Sequence, residues 1–280
     1  AGSNVAFHVC RQSVSEAWAH ILVARGLIDD CYVSNKSRER GYAHPLYLYE
    51  SDGGLVFGNE GEPNFAPAFI RQLASALDLP QVKPHNLPRS LTPEDIFHYA
   101  YAVFHSPGYR SRYAEFLKID FPRLPLTGDL ELFRALARLG GELTALHLLE
   151  SPRLDQTITD FIGGRSPAVK KAGWTPDGGG TVWIDAGGTR GATRPGTTGF
   201  TGVCKEVWNF HIGGYQVCEK WLKDRQGRTL TRDDIAHYRK IVVALSETMC
   251  PMQQIDAAIE EHGGWPDAFQ NTSSKPNLSA

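Results

Sequence analysis

The 280-residue chain contains no apolar run near the roughly 18 residues that a membrane-spanning helix requires, and no charged-then-apolar leader opens it. A soluble globular protein with no membrane partner is expected, and secretion is unsupported. Cysteine is scarce: Cys10, Cys31, Cys204, Cys218 and Cys250 are scattered without a CxxC pair. That spacing disfavours a disulfide frame and a zinc site, and suits reduced packing thiols in a cytoplasm. An excess of either charge is also lacking. Lys plus Arg total 29 against 31 for Asp plus Glu, a formal net charge of −2, so any nucleic-acid site must be a local patch.

Catalytic motifs are equally sparse. The chain has no GxSxG elbow, no GxxxxGK[ST] phosphate loop, no HExxH, and no GxGxxG between a strand and a helix. The pairs Gly163-Gly164 and Gly213-Gly214 read as turns. None of the ten histidines falls at metal-ligand spacing. His98 and His105 share a helix face without a completing Cys or acid, and Asp29-Asp30 and Asp233-Asp234 have turn or helix-cap readings. No nucleophile, general base, metal ligand or cofactor-binding residue is nominated.

What is present is a mixed α+β pattern. Ala1-Gly2-Ser3 resembles an expression scar, and the alternation begins immediately after it, which suggests a piece of something longer. Residues 4–62 form a β-rich section with strands expected at Val5–Val9, His20–Val23, Cys31–Ser34 and Pro45–Tyr49. Residues 63–150 turn helical: a helix is expected within Asn64–Leu79, another starts at Thr92-Pro-Glu-Asp95, and a helix pair broken at Gly140-Gly141 follows. Residues 151–215 are β-rich with long Gly/Thr loops, and strands are expected at Ala168–Trp174 and Thr181–Asp185. Residues 216–265 are helical, with a second capping box at Thr231-Arg-Asp-Asp234 and a kink expected at Pro251. Residues 266–280 read as a flexible tail. The whole is expected to form one compact region.

The run Phe104-His-Ser-Pro-Gly-Tyr-Arg-Ser-Arg-Tyr-Ala-Glu-Phe-Leu-Lys mixes arginines with aromatics as a nucleic-acid surface would. Its periodicity argues for scaffold instead. Tyr113, Phe116 and Leu117 fall on one helical stripe, Arg112 can pair with Glu115, and Ser106-Pro107 repeats the cap-then-proline start. Elsewhere, Lys36, Arg38 and Arg40 lie in one polar loop, where an arginine can offer two hydrogen bonds to guanine. Lys170, Lys171, Arg190 and Arg194 lie among small residues that let a backbone approach phosphates. In both places the alternative is a solvated loop.

Several stretches together resemble the C-terminal specificity region of Type ISP restriction-modification enzymes and related adenine-specific DNA methyltransferases. They include Phe7-His-Val-Cys-Arg-Gln-Ser13, Pro45-Leu-Tyr-Leu-Tyr49, Pro63-Asn-Phe65, Glu94 through Tyr113, Phe116-Leu-Lys-Ile-Asp-Phe-Pro-Arg-Leu-Pro125, Leu146-His-Leu-Leu-Glu150, Trp208 through Arg225 and Leu230 through Ile255. The resemblance implies a target-recognition fold that reads double-stranded DNA. A methyltransferase domain upstream in the same polypeptide would then bind S-adenosylmethionine and methylate an extruded adenine. On that reading Lys36, Arg38 and Arg40 are the first candidates for DNA contact, Lys170, Lys171, Arg190 and Arg194 the next, and Arg110 the last. The rivals are a protein-docking domain and a hydrolase built from scattered His and Asp.

Overall fold

Residues 4–14, 17–31, 33, 40–49, 61–189 and 192–270 are described by the structure, a computed structural model. Two compact units divide the chain: 1–144 with 251–280, and 145–250. The divisions fall inside two of the longest helices.

In the first unit, β1 (Ala6–Cys10) is central to a three-stranded antiparallel sheet, with β2 (Ile21–Ala24) and β3 (Gly41–Pro45) on its two sides. The register places Phe7 opposite Val23 and His44. The third strand is thus Gly41–Pro45 and not Cys31–Ser34, whose described residues form a turn and a bend. Where this strand begins, Gly41 N donates to the Asp30 carbonyl. Short pairs follow, β4 (Tyr47–Leu48) with β5 (Glu62–Pro63), then, after α1 (Pro67–Ala76), β6 (Gln81–Val82) with β7 (Leu87–Pro88).

The expected capping box starts α2 (Pro93–His105): Thr92 Oγ1 accepts from the Asp95 amide at 3.1 Å while Asp95 accepts from the Thr92 amide at 2.8 Å. From Ile96 to His105 only His98 is not fully buried, so α2 is the core helix of its unit. Phe7 stacks on Phe97 at 3.7 Å between centroids, joining sheet to helix. The aromatic run forms two short helices, α3 (Pro107–Arg112) and α4 (Ala114–Ile119), instead of one. Ser106 caps α3 as expected, accepting from the Tyr109 amide at 2.9 Å. Two details of the expected wheel change: Phe116 is exposed while Leu117 is buried, and Glu115 pairs with Lys118 at 2.8 Å.

The expected helix break at Gly140-Gly141 is absent, and α5 (Leu130–His147) runs unbroken. A Cβ on Gly140 would lie 1.9 Å from the His98 carbonyl oxygen. The glycine therefore permits a close approach to α2. The expected tail is ordered at its start: Asp267–Phe269 forms a 3₁₀ turn, and Thr127 Oγ1 donates to the Ala268 carbonyl at 2.8 Å. Residues 271–280 lie outside the described residues.

The second unit is built on a four-stranded antiparallel sheet containing β8 (Asp160–Ile162), β9 (Gly173–Thr175) and β10 (Thr181–Trp183). Its remaining strand follows the hairpin β11 (Gly187–Thr189)–β12 (Ala192–Arg194) and is β13 (Gly199–Thr201). The order is β8-β13-β10-β9. Trp174, Val182, Phe200 and Phe161 align across one face. After α6 (Lys205–Trp208), Gly213-Gly214 makes the expected turn between β14 (His211–Ile212) and β15 (Tyr215–Gln216). Then α7 (Val217–Lys223) and α8 (Arg232–Glu261) contribute Leu222, Tyr238, Val242 and Leu245 to the core. Phe200 meets the Tyr238 ring at 4.4 Å. The second capping box is present at Thr231 and Asp234, and α8 continues through Pro251.

Candidate nucleic-acid interface

The Gly/Thr section is organised by backbone pairing. Its expected strand at Ala168–Trp174 is divided: β9 takes its end, while Ala168 bridges Thr229 antiparallel and Lys171 bridges Asp185 in parallel. Val169 N donates to the Arg228 carbonyl at 2.9 Å and Gly227 N returns a bond to Val169 O at 2.8 Å. On the other side, Lys170 N and Lys171 N both donate to Ile184 O, at 2.8 and 3.0 Å, and Ala186 N donates to Lys171 O at 3.0 Å. The hairpin continues the pattern with Gly187 opposite Arg194. A ribbon of four segments results: 226–229, 167–171, 184–188 and 192–194.

Two features fix this ribbon. A Cβ on Gly188, whose φ is +83°, would lie 2.0 Å from the Ala192 carbonyl, so only glycine fits the hairpin there. Asp185 accepts from Thr197 N at 3.0 Å, Thr197 Oγ1 at 2.7 Å and Thr198 N at 3.0 Å, and so closes the turn that returns the chain to β13. Burial alone would raise its carboxyl, but these hydrogen bonds outweigh burial and hold it below the usual carboxylate range.

The structure brings Lys170, Lys171 and Arg194 together on this ribbon, all exposed. The Lys171 ammonium donates to the Gly188 carbonyl at 2.5 Å. Arg190 lies outside the described residues, as do Lys36 and Arg38. Arg40 immediately precedes β3, its side chain 77% exposed and its Nε 3.8 Å from Asp30 Oδ2. Such a loose exposed pair leaves the guanidinium available. Arg110 is differently placed: Nε donates to the Phe104 carbonyl at 2.7 Å, closing the C-terminal end of α2, and its guanidinium lies 5.7 Å from the Trp18 ring centroid. Burial lowers its pKa to about 10. Arg228, which the sequence pattern does not single out, is also exposed on this ribbon, beside Val169. Its signal was a charge following the glycine of a turn.

The groups that a hydrolase would need are placed otherwise. Ser13 Oγ lies 3.2 Å from His20 Nε2, but the two residues are 4% and 0% exposed, which keeps a substrate out. His105 is buried with Nδ1 2.8 Å from the Tyr101 carbonyl. His98, its pKa lowered by burial, lines a cavity of about 300 Å³ with Ser90, Asp95, Arg134 and Arg138. Asp95 is committed to the Thr92 cap, so it cannot serve His98 as a base's partner.

Comparison with known proteins gives a consistent picture. The family described as the Type ISP C-terminal specificity domain matches residues 1–254. No curated protein matches. Among solved structures, the ATP-dependent Type ISP restriction-modification enzyme LlaBIII bound to DNA is 19% identical with a TM-score of 0.64, covering 91% of this chain and 16% of that one. A nuclease-deletion mutant of the Type ISP enzyme LlaGI, in complex with a DNA substrate mimic, is 18% identical with a TM-score of 0.59, covering 91% and 21%. The DrdV–DNA complex is 21% identical with a TM-score of 0.58, covering 94% and 25%. The chain thus has the fold of a segment spanning a quarter or less of each of these proteins.

Proposed function

We propose, from the premise that this chain belongs to the Type ISP C-terminal specificity domain family, that it reads a short sequence in double-stranded DNA. The observation that carries the proposal is the family match over residues 1–254. The DNA-bound state named for all three structural neighbours supports it. The neighbours are far longer, which agrees with chemistry on other domains of a parent polypeptide. That parent is proposed to be a cytoplasmic restriction-modification enzyme with an upstream S-adenosylmethionine-dependent adenine-N6 methyltransferase domain.

The polar loop carrying Lys36, Arg38 and Arg40 is assigned to base reading, because a guanidinium can match a guanine edge with two hydrogen bonds. Lys170, Lys171, Arg190 and Arg194 are assigned to the DNA backbone, and Arg110 stays last, its Nε–H being spent on Phe104. With a net charge of −2, binding by this chain alone is weak and salt-sensitive. Selection of bound sequences from random duplexes across a salt series tests the proposal. An enriched motif with a negative log–log salt slope is expected. No binding at low salt, alongside tight binding to the upstream methyltransferase domain, would replace recognition by docking.

The docking reading has its own observation. Val14, Phe116 and Ile119 are 69%, 69% and 62% exposed. Their segments are joined by the bond from Ser13 N to Lys118 O. Exposed apolar groups on two backbone-bonded segments suit a protein contact that coexists with DNA reading.

A further inference from the structure

We infer that Arg228, Lys170, Lys171 and Arg194 form one phosphate-gripping row across the ribbon, with Arg228 at its outer end. The inference rests on the DNA-recognition reading and adds both a residue and a division of roles. The pairing places Arg228 opposite Val169, Lys171 opposite Asp185, and Gly187 opposite Arg194, so the cations occupy three of the four segments of one backbone-bonded strip, the segment 184–188 carrying none. Three inter-strand steps of about 4.8 Å give a strip roughly 14 Å wide. One DNA strand presents a phosphate about every 3.4 Å of helix axis, so this width corresponds to roughly four phosphates.

Several acids of this unit are engaged away from the row. Of the other cations in the same unit, Lys220 pairs with Asp224, Lys223 with Glu219, Arg225 with Asp234, Arg239 with Asp160 and Lys240 with Asp155, while Arg165, Lys205 and Arg232 are exposed without a carboxylate partner among the described residues. None of the four row cations is paired with a carboxylate among the described residues. The acid that the pairing brings closest, Asp185, directs its oxygens to Thr197 and Thr198 instead. Positive charge on the ribbon is therefore left without a carboxylate partner among the described residues. The ribbon is held by main-chain bonds, which leaves Lys170, Arg194 and Arg228 exposed to meet phosphate oxygens, while Lys171 must exchange its bond to the Gly188 carbonyl to do so. Gln226, also in the turn, is occupied: its Nε2 donates to the Lys170 carbonyl at 3.0 Å.

The test measures affinity of the 280-residue chain and its Arg228→Gln variant for the selected duplex and a scrambled one across a salt series. Arg228→Gln should weaken both duplexes by the same factor, roughly threefold or more, and reduce the log–log slope by about 0.9, with the enriched sequence unchanged. Lys240→Gln, which removes a paired cation of the same unit, should leave the slope as it was. Thermal melting of each variant verifies its fold. Wild-type slope in Arg228→Gln, or an equal loss in Lys240→Gln, overturns the row. Unequal weakening of the two duplexes also overturns it, because that signals base reading. If the wild-type chain enriches no sequence but Arg228→Gln still lowers the slope, the row stands and sequence recognition falls.

Discussion

Asp185 shows how one side chain organises the candidate interface. It lies in the bridge to Lys171, yet its carboxylate is turned to three donors on Thr197 and Thr198. Because its pKa is depressed in the folded state, its contribution is present above the unfolded value near 3.9 and is lost as pH falls through the folded value. Asp185→Asn should cost about 1 kcal/mol at pH 7, at the low end for charge-assisted hydrogen bonds because solvent reaches the group. The stability gap in urea should stay constant down to about pH 4 and narrow below it. A gap that persists unchanged at about pH 3 would show that the turn depends on shape and not on charge. Arg110 teaches the complementary lesson. Sequence gives it charge among aromatics, but the charge is aimed at a helix-terminal carbonyl, a use that only the packed geometry reveals.

Helix starts were legible and helix approaches were not. Thr92 and Thr231 carry a complete local signal, an acid three residues on that returns the cap bond, and both boxes are present. Thr231→Ala should therefore cost about 1 kcal/mol in equilibrium unfolding. Gly140-Gly141 resembled a break because each glycine lowers helix propensity by about 1 kcal/mol relative to alanine. Its cause lies on another element, the His98 carbonyl of α2. Gly140→Ala should lower stability by about 1–3 kcal/mol through overpacking, despite the better propensity. Gly141→Ala should cost less, since its Cβ would meet the His98 ring, Nδ1 nearest at 3.2 Å, and not a backbone carbonyl. A melting comparison in which Gly140→Ala is neutral or stabilising would remove the close-packing explanation. The ribbon was illegible for the same reason: Ala168 meets Thr229 across sixty-one positions, a pairing no local period encodes. Cysteines read as packing residues divide on inspection, with Cys10 and Cys218 buried while Cys31 and Cys250 are exposed.

For the molecule as a whole, near-neutral charge and DNA recognition are compatible if the positive groups are placed instead of accumulated. A net charge of −2 gives little long-range attraction, so discrimination depends on a few contacts of different kinds. The proposed arrangement assigns those kinds to different units: Arg40 belongs to the unit containing residues 1–144, while Lys170 belongs to 145–250. Their replacements should consequently differ in character and not only in size. Arg40→Ala should relax sequence choice at one position of the enriched motif, with about 1–3 kcal/mol less discrimination there. Lys170→Ala should weaken every duplex alike and lower the salt slope by about 0.9 while leaving the motif intact. Selection from random duplexes followed by affinity measurements at two salt concentrations reads both effects. Uniform weakening from both replacements would remove Arg40 from base reading and reduce it to another backbone contact. A motif change from Lys170→Ala would move base reading to the ribbon, because a contact confined to phosphate carries no direct sequence information.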